Sequence, residues 1–210
     1  LWDRIEELRA GHGGALVVEG DAGVGKTRLV AEVLDELSNA ESFPLTVRMV
    51  RVESYGVAFP LRALRDPVRE LLGVRRAEPE EMSRQLLANL ARLDPELLPM
   101  APLLAEVAHF QVPSTPEVDQ LEPRFRPDRQ ADAVIRLLAR TTPGPVVLVV
   151  EDAHWVDDAS SNLLDRVAAA ADGPDGRPWL VISIRRPGGQ DVTTGADEDR
   201  ILARLRALRS

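Results

Sequence analysis

The sequence predicts an α/β fold, a parallel sheet flanked by helices, and three observations carry that prediction. Val146-Val147-Leu148-Val149-Val150 is an unbroken, largely β-branched apolar run, as a strand covered on both faces requires. Ala15-Leu16-Val17-Val18 is a second short apolar run, followed by a glycine-rich turn and then by apolar residues at helical spacing (Leu29, Val30, Val33, Leu34, Leu37). Between the two runs, a long proline-punctuated stretch repeats its apolar residues mainly at helical intervals.

In chain order, Leu1 to Ala10 reads as a helix with Leu1, Ile5 and Leu8 on one side, ended by Gly11-His12-Gly13-Gly14. His12 falls in this glycine turn and reads as exposed. The first strand and helix follow, then a connection from Ser38 to Pro44 and a β-branched second strand from Leu45 to Val52. Pro60 to Leu72 has a helical pattern with Pro60 placed to start it and Pro67 placed to kink or split it. Glu81 to Leu93, introduced by Glu78-Pro79, is a further helix, and Leu97 to Phe110 is a third, perturbed by Pro99 and Pro102. Gln111 to Asp128 carries Pro113, Pro116, Pro123 and Pro127 and reads as an irregular surface loop. Pro127-Asp128 restarts a helix through Leu138, and Pro143-Gly144-Pro145 ends it before the Val146–Val150 strand. Asp157-Asp158 offer caps to a helix from Ala159 to Ala171. Asp172 to Gly176 is a turn, Trp179 to Ile184 a buried strand, Gly188 to Asp199 a glycine- and acid-rich stretch, and Ile201 to Leu208 a final amphipathic helix.

Gly20-Asp21-Ala22-Gly23-Val24-Gly25-Lys26-Thr27 matches the phosphate-loop pattern G-x-x-x-x-G-K-[ST] at every fixed position, between the strand and the helix that this chemistry needs. The glycines let the backbone turn sharply and approach phosphate oxygens, and the loop N–H groups with the positive end of the helix cradle the anion. Lys26 is placed to reach β- and γ-phosphates and Thr27 to offer its hydroxyl to Mg²⁺. Lys26 is also the only lysine among 26 basic residues. Gly20 through Arg28 are therefore the expected nucleotide contacts.

Such a site needs a carboxylate at the end of another buried strand, and Glu151-Asp152 follow the Val146–Val150 run. Two adjacent acids allow one to hold Mg²⁺ and the other to orient and polarise water. Position favours Glu151 for the metal and side-chain length favours Asp152, so the sequence leaves the division open. His154, two residues on, is a candidate for nucleotide sensing or water positioning, and Trp155 reads as packing. Arg185-Arg186 close the next buried strand, where a guanidinium could face the γ-phosphate. Arg124, Arg126 and Arg129 read as a solvated cluster.

Composition excludes several classes. Hydrophobic content of 44% with 29% charged residues is that of a globular protein, and a net charge of −8 argues against a nucleic-acid-binding surface on this segment. The absence of cysteine excludes a disulfide framework and thiolate metal sites and fits a cytoplasmic protein. No apolar run approaches the roughly 18 residues of a membrane span. The opening Leu1-Trp2-Asp3-Arg4-Ile5 lies mid-helix with no initiator methionine and suggests a piece of something longer.

Together, Gly20–Thr27 and Glu151-Asp152-Ala153-His154-Trp155-Val156-Asp157 resemble the signal-transduction ATPases with numerous domains, in the AAA-related branch of P-loop NTPases. More narrowly, the chain is similar to the ATPase module of LuxR-type transcription factors and of regulators linked to a class III cyclase or a kinase. The likeness extends over Tyr55–Leu61, Leu97-Leu98-Pro99, Leu121–Arg126 and Arg186-Pro187. It implies ATP or ADP with Mg²⁺ as ligands, and no N-K-x-D guanine motif is present. It implies residues 1–210 as one ATPase core with a helical segment at about 60–142, and a sheet order of 5-1-4-3-2. The fifth strand, a winged-helix domain and an effector of DNA-binding or cyclase type would follow Ser210, and the family's glycine-arginine pair would precede Leu1. The implied function is a slowly hydrolysing switch, with Arg186 or Arg185 sensing the γ-phosphate, and nucleotide-dependent self-association is an implied partner mode. A non-hydrolysing nucleotide scaffold and an oligomeric remodelling ATPase are the alternatives. No membrane partner is expected.

Overall fold

Five consecutive apolar residues can all be buried only if both faces of their strand are covered, and β3 (Val146–Glu151) is covered on both. Val147 and Val149 pack into one core, whereas Val146, Leu148 and Val150 pack into another on the opposite face. The computed structural model describes residues 1–38, 44–52, 59–172 and 176–187. β3 lies inside a four-stranded parallel sheet with β1 (Gly14–Glu19), β2 (Thr46–Arg51) and β4 (Trp179–Arg185), in the order β1-β4-β3-β2. This is the 1-4-3-2 part of the expected order; no fifth strand occurs among the described residues.

The first core is built on α1 (Trp2–Arg9) and α2 (Lys26–Ser38). Ile5 and Leu8 from α1, with Val30, Val33, Leu34 and Leu37 from α2, meet Val147, Val149, Leu180, Ile182 and Ile184 of the central strands. The second core holds α3 (Arg65–Leu72), α4 (Pro79–Leu93), α5 (Ala101–Val107), α7 (Arg126–Thr141) and α8 (Asp158–Asp172). Its most enclosed side chains include Leu86, Leu90, Leu104 and Leu137, all with no exposed surface. No helix among the described residues is long and apolar enough to cross a membrane.

Several boundaries differ from the sequence reading, each for a backbone reason. Pro60–Leu72 is not one helix: a 3-10 turn at Arg62–Leu64 precedes α3, which leaves Pro67 in the first helical turn. There the missing N–H has no intrahelical partner to lose, so no kink is needed. Leu97–Phe110 divides into a 3-10 turn at Pro95–Met100, containing Pro99, and α5, with Pro102 in its first turn. The Gln111–Asp128 stretch is less irregular than expected. It holds α6 (Pro116–Asp119), a 3-10 turn at Pro123–Phe125 and the start of α7, each with a proline among its first two residues. Leu29 does not join the apolar face of α2; it is 54% exposed while Val30 and Val33 are buried. The Ile201–Leu208 helix, the Gly188–Asp199 stretch and Tyr55–Ala58 lie outside the described residues.

Candidate functional site

The phosphate-loop segment leaves β1 at Glu19 and enters α2 at Lys26. Gly23 and Gly25 adopt φ of 79° and 93°, values that an L side chain reaches only with strain. At Gly20 the limit is space: a Cβ would sit 3.2 Å from Val24 Cγ2. Lys26 Nζ donates to the carbonyls of Gly20 at 2.6 Å and Asp21 at 2.8 Å, so the ammonium is held across the mouth of the loop. Asp21, Ala22 and Val24 are exposed along it. Thr27 opens the first turn of α2, and Arg28 turns along the helix to pair with Glu32 at 2.7 Å. Leu29, one turn in, is left exposed beside the loop.

Glu151 is the last residue of β3 rather than the first beyond it. Strand alternation puts it on the side of Val147 and Val149, the α2 side of the sheet, and therefore on the side of Thr27. Arg51, its register partner on β2, approaches its carboxylate at 3.4 Å. Asp152 is exposed and left-handed (φ 52°, ψ 42°), and it starts a 3-10 turn over Ala153–Trp155. This sharp reversal lifts Asp152 out of the sheet edge. His154 is partly buried against Trp155, with ring centroids 5.1 Å apart. Trp155 is not packed away as expected; it is 38% exposed and faces a cleft.

That cleft, about 340 Å³, is also lined by Met49, Arg51, Arg62, Arg65 and Asp157, and by no residue of 20–28. It lies on the β2 side of the acid turn, whereas β4 separates the turn from the loop strand. The end of β4 thus stands between them and supplies the two arginines. They are not equivalent. Arg185 pairs with Glu19 of β1 at 2.6 Å, and their backbones are register partners. Arg186, next in sequence, is exposed beyond the strand end. Arg124 and Arg126 pair with Glu122 and Glu106, and Arg129 lies 3.9 Å from Asp132. His109 contacts the Pro60 carbonyl at 3.1 Å, and burial lowers its pKa below the usual histidine value. His12 is exposed.

The oxygen donors at this edge, one hydroxyl and two carboxylates, fit a hard cation such as Mg²⁺ that keeps several waters. The positive-φ glycines and the ammonium fit a phosphate chain. Glu19, Arg51 and the long reach of Asp157 were not singled out from the sequence. Each matters through a residue far away in the chain, and no local pattern reveals such a partner.

A family model described as "AAA ATPase domain" matches residues 1–182. An uncharacterized protein of Rhizobium meliloti (strain 1021) is 27% identical over 189 residues, which cover 89% of this chain and 17% of that protein. The chain thus corresponds to a small part of that relative's length. With most of its residues matched, this chain belongs to the AAA ATPase domain family and is an ATP-binding module.

Proposed function

We propose that this member of the AAA ATPase domain family is a slowly hydrolysing switch within a larger regulatory protein. ATP binding would favour one arrangement of linked domains and γ-phosphate loss would release it. The observation that carries the reading is the convergence at one sheet edge: the loop after β1, Glu151-Asp152 at the end of β3, and Arg186 after the intervening β4.

In this reading Lys26 and the amides of Gly20–Thr27 bind the β- and γ-phosphates, and Arg28 borders the nucleotide. Thr27 and Glu151, which share one side of the sheet, hold Mg²⁺. The bound metal neutralises charge on the phosphate oxygens. Asp152, free of the strand, orients and polarises the attacking water. Arg186 senses the γ-phosphate; its neighbour Arg185 is already neutralised by Glu19. Effector domains of DNA-binding or cyclase type, joined covalently, would read the change, with self-association dependent on nucleotide.

Calorimetric titration with ATP, with and without Mg²⁺, followed by phosphate release, tests this. Asp152→Ala should retain binding and lose most turnover, and Glu151→Gln should weaken the Mg²⁺ dependence. Tight nucleotide binding with no phosphate release, even from a longer chain, would favour a nucleotide scaffold instead.

A further inference from the structure

One buried carboxylate outside this set connects the acid turn to the helical segment. Asp157 is 8% exposed. Its Oδ1 accepts from the backbone N–H of Ser160 at 2.9 Å and from the backbone N–H of Leu61 at 3.0 Å, and its Oδ2 accepts from Ser160 Oγ at 2.6 Å. The Ser160 bonds cap α8, a task that serine, threonine or asparagine also performs. The Leu61 bond is a different matter. It joins residues 96 apart in sequence and ties the first residue before the 62–64 turn to the exit of the acid turn.

Strained backbone lies at the Leu61 end of this connection and at Asp152, which opens the turn preceding Asp157. Leu61 has φ of 62° and Asp152 has φ of 52°, left-handed values that cost a non-glycine residue on the order of 1 kcal/mol. Such conformations persist where surrounding contacts enforce them, and they cluster at functional sites. Asp157 holds Leu61 directly, and it follows in sequence the turn that Asp152 opens and that the N–H groups of Trp155 and Val156 close on the carbonyls of Asp152 and Ala153. The anion has lone pairs for all three donors at once.

We propose that Asp157 is a positioning residue whose carboxylate fixes the acid turn to the start of the helical segment and so holds Glu151 and Asp152 in the arrangement that hydrolysis needs. The second half of this rests on the hydrolysing reading above. The helical segment then acts on the site through Leu61: moving that residue takes away one of the contacts that fix the turn.

Asp157→Ser separates this from simple helix capping, because serine keeps a cap for α8 and is too short to hold Leu61 as well. Hydrogen exchange of the 59–64 and 152–161 segments is measured without nucleotide, alongside Mg-ATP affinity and single-turnover phosphate release. For Asp157→Ser we expect the Leu61 amide to exchange about tenfold faster and phosphate release to fall about 10- to 100-fold, with affinity within about threefold. Asp157→Asn, which keeps an oxygen for both N–H groups, should recover most of the release. Wild-type release from Asp157→Ser, or Asp157→Asn no better than Asp157→Ser, would overturn the positioning role. If the unmodified protein binds ATP and releases no phosphate, the hydrolysing reading fails. Exchange then decides the remaining half: unchanged Leu61 exchange in Asp157→Ser overturns the link, and faster exchange upholds it.

Discussion

The C-terminal edge of the sheet and the helical layer of α3–α7 are built by opposite means. The helical layer is a packed core: Leu86, Leu90, Leu104 and Leu137 have no exposed surface, and its central polar strut is Asp94, 4% exposed. Asp94 accepts from Arg136 Nε at 2.6 Å and Nη2 at 3.0 Å, from Arg140 Nε at 2.9 Å and from the Glu96 amide at 3.2 Å. The sheet edge has little such packing. It consists of a loop with positive φ, an exposed Asp152, an exposed Arg186 and two cross-strand ion pairs, Glu19–Arg185 and Arg51–Glu151. The packed core and the proposed site therefore lie in different places, and substitutions should separate stability from nucleotide chemistry.

The largest effect should come from Lys26→Ala, which removes the ammonium held across the loop, the proposed phosphate contact, and leaves the packed cores intact. ATP binding measured by calorimetry should be lost while the thermal midpoint stays close to wild type. Leu104→Ala should do the reverse, costing about 2–5 kcal/mol in denaturant titration with ATP affinity of the folded fraction retained. A loss of affinity as large as that of Lys26→Ala would merge the two regions. Asp94→Asn should cost about 1–3 kcal/mol, because it weakens a buried acceptor of charged donors.

The same strut predicts a pH response. The Arg136 guanidinium, with Arg140, holds the Asp94 carboxyl down to about 2 from an ordinary 3.8. A depressed carboxylate stabilises the fold fully above its unfolded value and loses that contribution as pH falls through the folded one. Wild-type stability should fall between about pH 4 and pH 2 more steeply than that of Asp94→Asn. The smallest effect should be Leu29→Ala, within about 0.5 kcal/mol in stability because the residue is exposed, against a clear loss for Val33→Ala.

The architecture was legible where one residue pattern admits one environment. The Val146–Val150 run demanded two covered faces, and the phosphate-loop pattern demanded strand, turn and helix. The prolines marked the right places with the wrong consequence. Pro67, Pro102 and Pro116 read as interruptions, yet each stands within a first helical turn, where a missing N–H costs nothing. Leu29 was misread because an apolar stripe on a helix has no sharp margin, and one residue at its edge can turn to either side. The pairing of Arg185 with Glu19, 166 residues earlier, was invisible because a parallel register joins strand ends far apart in the chain. That pairing is what distinguishes Arg185 from Arg186, which the sequence offered as equals.

The most direct test is phosphate release by Asp152→Ala and by wild type, measured in single turnover on protein whose bound ATP has been quantified. If Asp152 positions water, ATP occupancy should be equal and the release rate at least about tenfold lower in the variant. Equal release rates at equal occupancy would contradict that role, and would remove the acid turn from the chemistry of this domain.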